Sequence, residues 1–182
     1  MPDRLVVRYC SPTLAGMKTA SLFNYPCSDD AQVNRELEAW NKRYEAKGLQ
    51  AMCLGYCKNN ALIYIYRPKQ LQSDLKVKAT DAILKDIGYS NNDIQECLDM
   101  LKIRLKNTLN FPHEIGCFLG YPPEDVIGFI KKEMPCKLTG YWKVYGDVQK
   151  AKVLFDKYTK CTSIYLNQME KGITLEQLMV AL

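Results

Sequence analysis

Leu49-Gln-Ala-Met-Cys-Leu-Gly-Tyr-Cys-Lys-Asn-Asn-Ala-Leu-Ile-Tyr-Ile-Tyr66 is the stretch on which the fold turns. Leu62–Tyr66 is crowded with β-branched and aromatic residues, which suit pleated, half-buried backbone. Lys58-Asn59-Asn60 separates it from Leu49–Cys57, and asparagine tolerates positive φ. The spacing predicts two antiparallel strands joined by a tight turn. Pro68 cannot continue the second strand and suits the first turn of a helix.

Upstream of the hairpin, Val33, Leu37, Trp40 and Tyr44 recur at steps of four, three and four, one face of a helix. Asp29 or Asp30 can cap it, and Gly48 can stop it. Further back, Leu5-Val-Val-Arg-Tyr-Cys10 reads as a first strand ended by Ser11-Pro12, and Lys18 to Asn24 as a short helix. Downstream, Leu71 and Leu75 mark one helix. Ala79, Ala82, Ile83 and Ile87 mark a second, stopped by Gly88. Ile94, Cys97, Leu98, Leu101 and Leu105 mark a third, with Ser90 and Asp93 as a capping box. Leu138–Tyr145 is β-prone, and Asp147 caps a long helix whose inner face runs Val148, Ala151, Phe155, Tyr158, Thr162, Tyr165, Met169. Thr174 caps a last short helix. This order predicts an α+β protein, a small and mostly antiparallel sheet with helices packed on it, in a single globular domain over residues 1–182.

The chain has 182 residues, 47% of them hydrophobic and 25% charged, which is the balance of a chain able to bury a core. A net charge of +5 with interleaved signs argues against a nucleic-acid surface. No apolar run reaches the roughly 20 residues of a membrane helix. Eight cysteines lie mostly within apolar patterns. Asp3 stands where a secretory leader would be positive, so reduced thiols in the cytoplasm are expected. Cys53 and Cys57 are the one close pair. No second pair or histidine follows at a zinc-binding interval, so no metal site is expected and the two read as small buried residues.

Phe111-Pro-His-Glu-Ile-Gly-Cys-Phe-Leu-Gly-Tyr-Pro-Pro-Glu-Asp-Val-Ile-Gly-Phe-Ile130 holds the single histidine, three glycines and three prolines. His113 to Leu119 suits a short helix ending at Gly120, and Pro122-Pro123-Glu-Asp opens another. The glycines fit close approach of packed helices better than any phosphate loop.

Two groupings have chemical content. Cys10, His113 and Glu114 are the parts of an activated thiol, because only the thiolate attacks and an imidazole lowers the thiol pKa. Their wide separation in the chain makes this the alternative reading. Lys18, Arg67, Lys137 and Lys143 stand at element ends. With Thr13 and the aromatic floor Tyr141, Trp142 and Tyr145 they suit an anion that carries a flat ring.

The blocks Cys10–Lys18, Tyr64–Pro68, Phe111–Pro122 and Lys137–Asp147 resemble an uncharacterised family of anaerobic Gram-positive bacteria, a domain of unknown function. The resemblance implies a single cytoplasmic domain and no particular reaction or cofactor. Thr19 departs from the proline expected there. The leading expectation is a binding module for an anionic, ring-containing small molecule. A thiol-dependent enzyme using Cys10 and His113, and a protein-interaction domain without a ligand, are the alternatives. No nucleic-acid or membrane partner is expected.

Overall fold

The computed structural model describes residues 1–90, 93–107 and 111–182. The chain is α+β, as its pattern predicts. Its elements run α1 (Asp3–Leu14), β1 (Ala20–Pro26), α2 (Asp30–Tyr44), a 3-10 turn (Glu45–Lys47), β2 (Gln50–Cys57), β3 (Asn60–Tyr66), α3 (Pro68–Leu75), α4 (Lys78–Asp86) and α5 (Ile94–Asn107). They continue with α6 (Ile115–Phe118), α7 (Pro123–Lys131), β4 (Leu138–Thr139), β5 (Lys143–Val144), α8 (Val148–Glu170) and α9 (Leu175–Leu178). Two compact units form, one of Met1–Lys69 with Lys160–Leu182 and one of Gln70–Thr159.

The first unit is built on the hairpin. β3 lies at the centre of an antiparallel sheet of order β1-β3-β2. Ala61, Ile63 and Ile65 of β3 point into the core with Val33, Leu37, Trp40 and Tyr44 of α2, all buried as the helical spacing requires. Asp29 caps α2 by accepting from the Ala31 N–H at 2.8 Å. The left-handed turn after the 3-10 segment falls on Gly48, φ +67°, where a side chain would be strained.

Three segments adopt structures other than those their local sequence predicts. Residues 5–10 are helical, not a strand: Val6, Val7, Cys10 and Leu14 are buried on one helical face, so burial overrides the β preference of the valines. Lys18–Asn24 is not a helix. Ala20–Pro26 instead pairs with the free edge of β3, from Ala20 opposite Tyr66 to Pro26 opposite Asn60, and the sheet supplies hydrogen bonds a short isolated helix would lack. In the hairpin, Lys58 takes the positive φ, at 53°, rather than an asparagine. The register shifts between Cys53 and Gly55, so Leu54 is buried while Cys53 is half-buried and Cys57 exposed.

In the second unit, Leu71 and Leu75 of α3 and Cys97, Leu98 and Leu101 of α5 are buried as expected. The buried face of α4 is Thr80, Ile83 and Leu84. Ala79 and Ala82 face outward, because alanine fits a helix on either side. Asp93, not Ser90, starts α5, its carboxylate accepting from the Gln95 N–H at 3.1 Å. The expected strand Leu138–Tyr145 is a small hairpin, β4 against β5, with Gly140 packed on the Phe155 ring. Asp147 caps α8 through the N–H groups of Gln149 and Lys150. A core of Trp142, Val144, Ala151 and Tyr158 joins that hairpin to the first half of α8.

Candidate functional site

The hairpin β4–β5 and helix α7 together wall a cavity of about 220 Å³ in the second unit. His113, Tyr121, Asp125, Phe129, Trp142 and Lys143 line it. The sequence places them there for simple reasons. Asp125 and Phe129 are one helical turn apart on α7, so they share a face. Gly128 lets the helix approach so closely that a Cβ would collide with Tyr145.

The walls are aromatic and mutually braced. Tyr121 stacks on Trp142 at 4.8 Å between centroids, and Phe155 meets the indole edge-on at 4.5 Å. His113 meets Phe129 in a T-shaped contact at 4.8 Å. The Lys143 ammonium lies 5.5 Å from the centre of the same Phe129 ring, within cation–π range.

Asp125 is the keystone. It is 3% exposed. One carboxylate oxygen accepts from the Trp142 indole N–H at 2.7 Å, and the other accepts from the backbone N–H groups of Tyr145 and Gly146, both at 2.7 Å. The carboxylate thus fixes the orientation of the indole and the exit of β5. Its charge is met by three donors.

Of the residues expected to bind a ligand, Trp142 and Lys143 line this cavity. The others have different positions. Tyr141 is 41% exposed, against Phe155 and Tyr158. Tyr145 packs on Gly128. The Lys137 ammonium donates to the Gly146 carbonyl at 3.0 Å. Glu114 is buried and accepts from the Tyr89 hydroxyl at 3.1 Å and from the Arg104 guanidinium, so its carboxylate is engaged away from the cavity. Tyr121, Asp125 and Phe129 escape the sequence reading. The four-residue spacing of Asp125 and Phe129 is the available signal, and by itself it indicates only a helix start and a buried face.

Thr13, Lys18, Arg67 and Cys10 belong to the first unit. Arg67 is 2% exposed, and its guanidinium donates to four main-chain carbonyls: Thr13 at 2.7 Å, Leu14 at 2.7 Å, Val180 at 2.8 Å and Lys47 at 3.2 Å. These bonds commit the fork of the guanidinium to the fold. The Thr13 hydroxyl pairs with that of Ser21 at 2.9 Å. Cys10 is fully buried, and burial pushes its thiol up to about 12 against the opposing pull of the Lys18 charge. A thiolate there is disfavoured at neutral pH.

Burial also lowers the Lys18 pKa from 10.5 to about 8. Below that value both the folded and unfolded chains carry the proton. Between it and the unfolded value the folded protein has released a proton that the unfolded chain keeps, so the contribution of this one group to stability rises with pH. In chemical denaturation the stability difference between wild type and Lys18→Met should move in favour of wild type from about pH 8 to 9, by at most about 1.4 kcal/mol per pH unit for one proton. The cysteines whose thiols burial pushes up act in the opposite direction, but in both proteins alike. A difference that stays flat or moves against wild type over that interval would contradict a buried ammonium at this place.

Among the described residues no group of three or more histidine, cysteine, aspartate or glutamate side chains is placed to hold a metal ion, and no helix is long and apolar enough to cross a membrane. All eight cysteines are free thiols.

Fold and cavity together describe an α+β protein with an aromatic-walled pocket held by a buried aspartate. The chain belongs to the family described as a protein of unknown function, DUF3793, which it matches over residues 6–179. No curated protein and no solved structure matches it.

Proposed function

We propose that the protein is a binding module for a small, ring-containing anion, and that the cavity of the second unit is its site. The supporting observation is the Lys143 ammonium 5.5 Å from the Phe129 ring, at a cavity whose other walls are Tyr121 and Trp142. Flat rings gain contact and quadrupole complementarity between such walls. Lys143 makes no ion pair with a carboxylate among the described residues, where the lysines that do are Lys85, Lys102 and Lys150. An anion in the pocket would supply that partner. Asp125 would repel it little, since three N–H donors already face its charge.

A thiol-dependent enzyme is less well supported, because burial holds Cys10 in its neutral form. The free thiols favour a reducing compartment such as the cytoplasm.

Isothermal titration with 1-naphthoate and with uncharged 1-naphthol tests the proposal. Naphthoate should bind more tightly than naphthol, and Lys143→Ala should weaken naphthoate about tenfold, the loss of one charge-assisted contact. Equal naphthoate affinity in wild type and Lys143→Ala would remove the site from this cavity.

A further inference from the structure

We infer that the anionic end of the ligand is a phosphate monoester rather than a carboxylate, a conclusion that rests on the ligand reading of this cavity. Phe129 gathers more than one potential donor. The His113 ring meets it edge-on at 4.8 Å, the Lys143 ammonium lies 5.5 Å from its centre, and the Lys132 ammonium lies 6.0 Å from it. Neither lysine has a carboxylate within ion-pair distance among the described residues. A doubly charged anion attracts two ammonium groups more strongly than a singly charged one does. Both ammoniums ride on flexible four-carbon stems, so both can swing to the same oxyanion. The imidazole supplies an N–H donor in either of its protonation states. A phosphate monoester has the charge and the three terminal oxygens to engage all three groups.

Lys132 closes α7 in the left-handed region, at φ 54°. That position favours glycine or asparagine, and a lysine there is strained. The Lys132 ammonium lies 6.0 Å from the centre of Phe129, a wall of the cavity, although Lys132 is exposed and does not itself line it. The cavity, about 220 Å³, suits a ligand of one or two rings.

The test compares 1-naphthyl phosphate with 1-naphthoate by isothermal titration, in wild type and in Lys132→Gly. Glycine is at ease in the left-handed region, so this variant should keep its fold while losing the ammonium. The phosphate should bind wild type roughly tenfold more tightly than the carboxylate. In Lys132→Gly most of that advantage should disappear. Equal affinities in wild type, or an advantage that survives in Lys132→Gly, would overturn the phosphate inference and leave the anion site standing. Binding of neither compound would overturn both.

Discussion

Arg67→Ala should unfold the first unit more readily than any other single truncation in it, with a loss of about 4 kcal/mol or more in urea titrations. The guanidinium is buried and joins four carbonyls, those of Thr13 and Leu14 at the end of α1, Lys47 in the 3-10 turn, and Val180 near the C-terminus. A hydrogen bond to a charged group contributes about 1.5–3 kcal/mol, and a buried carbonyl left without a donor costs a further penalty. The desolvation of the charge offsets part of this, so the sum of four bonds is an upper limit. Natural domains have only about 5–15 kcal/mol in total. Lysine would not restore the wild type: Arg67→Lys offers a point charge in place of a planar fork, and should recover less than half of the loss. A midpoint shift equivalent to less than about 1 kcal/mol in Arg67→Ala would show that the carbonyls find water instead.

Asp125→Ala should cost the second unit about 3–5 kcal/mol. It leaves the buried Trp142 indole N–H and the partly buried Tyr145 and Gly146 N–H groups without their acceptor. Asp125→Asn should recover part of the loss. Its amide oxygen can still accept from the two backbone groups, but its NH₂ then faces the indole N–H, donor against donor. Tryptophan emission gives a local readout beside the denaturation midpoint. The chain has two tryptophans, and Trp40 lies in the other unit. A red shift in Asp125→Ala therefore reports on Trp142. Naphthoate affinity should fall in the same variant, because the carboxylate orients a wall of the cavity. A wild-type midpoint with unchanged emission would mean that the three bonds are dispensable.

Both predictions concern residues that the sequence presents poorly. Arg67 is visible as a cation at the end of the best strand, and that position suits a ligand contact. Only the meeting of α1, the 3-10 turn and the C-terminal segment around it turns its charge inward. Asp125 is visible as an acid in the first turn of a helix, a place that the helix dipole alone explains. Its acceptor role depends on β5 lying against α7, through contacts about 20 residues away along the chain.

What the sequence by itself determined is what short-range periodicity encodes. The central strand Leu62–Tyr66, the buried face of α2, the caps at Asp29, Asp147 and Thr174, and the α+β class follow from spacing and from residue types that act within a turn or two. Where propensity and tertiary contact disagreed, contact prevailed. Val6 and Val7 entered a helix because that helix could bury them with Cys10 and Leu14. Ala20–Pro26 became a strand because β3 had a free edge to pair with. The cavity belongs wholly to the tertiary structure. His113, Asp125, Phe129 and Lys143 sit on three separate segments, and no local rule states that the start of α6, α7 and the β4–β5 hairpin close on one another. Long-range packing makes that choice, by burying Trp142 and Val144 and by bringing their neighbouring N–H groups to the Asp125 carboxylate.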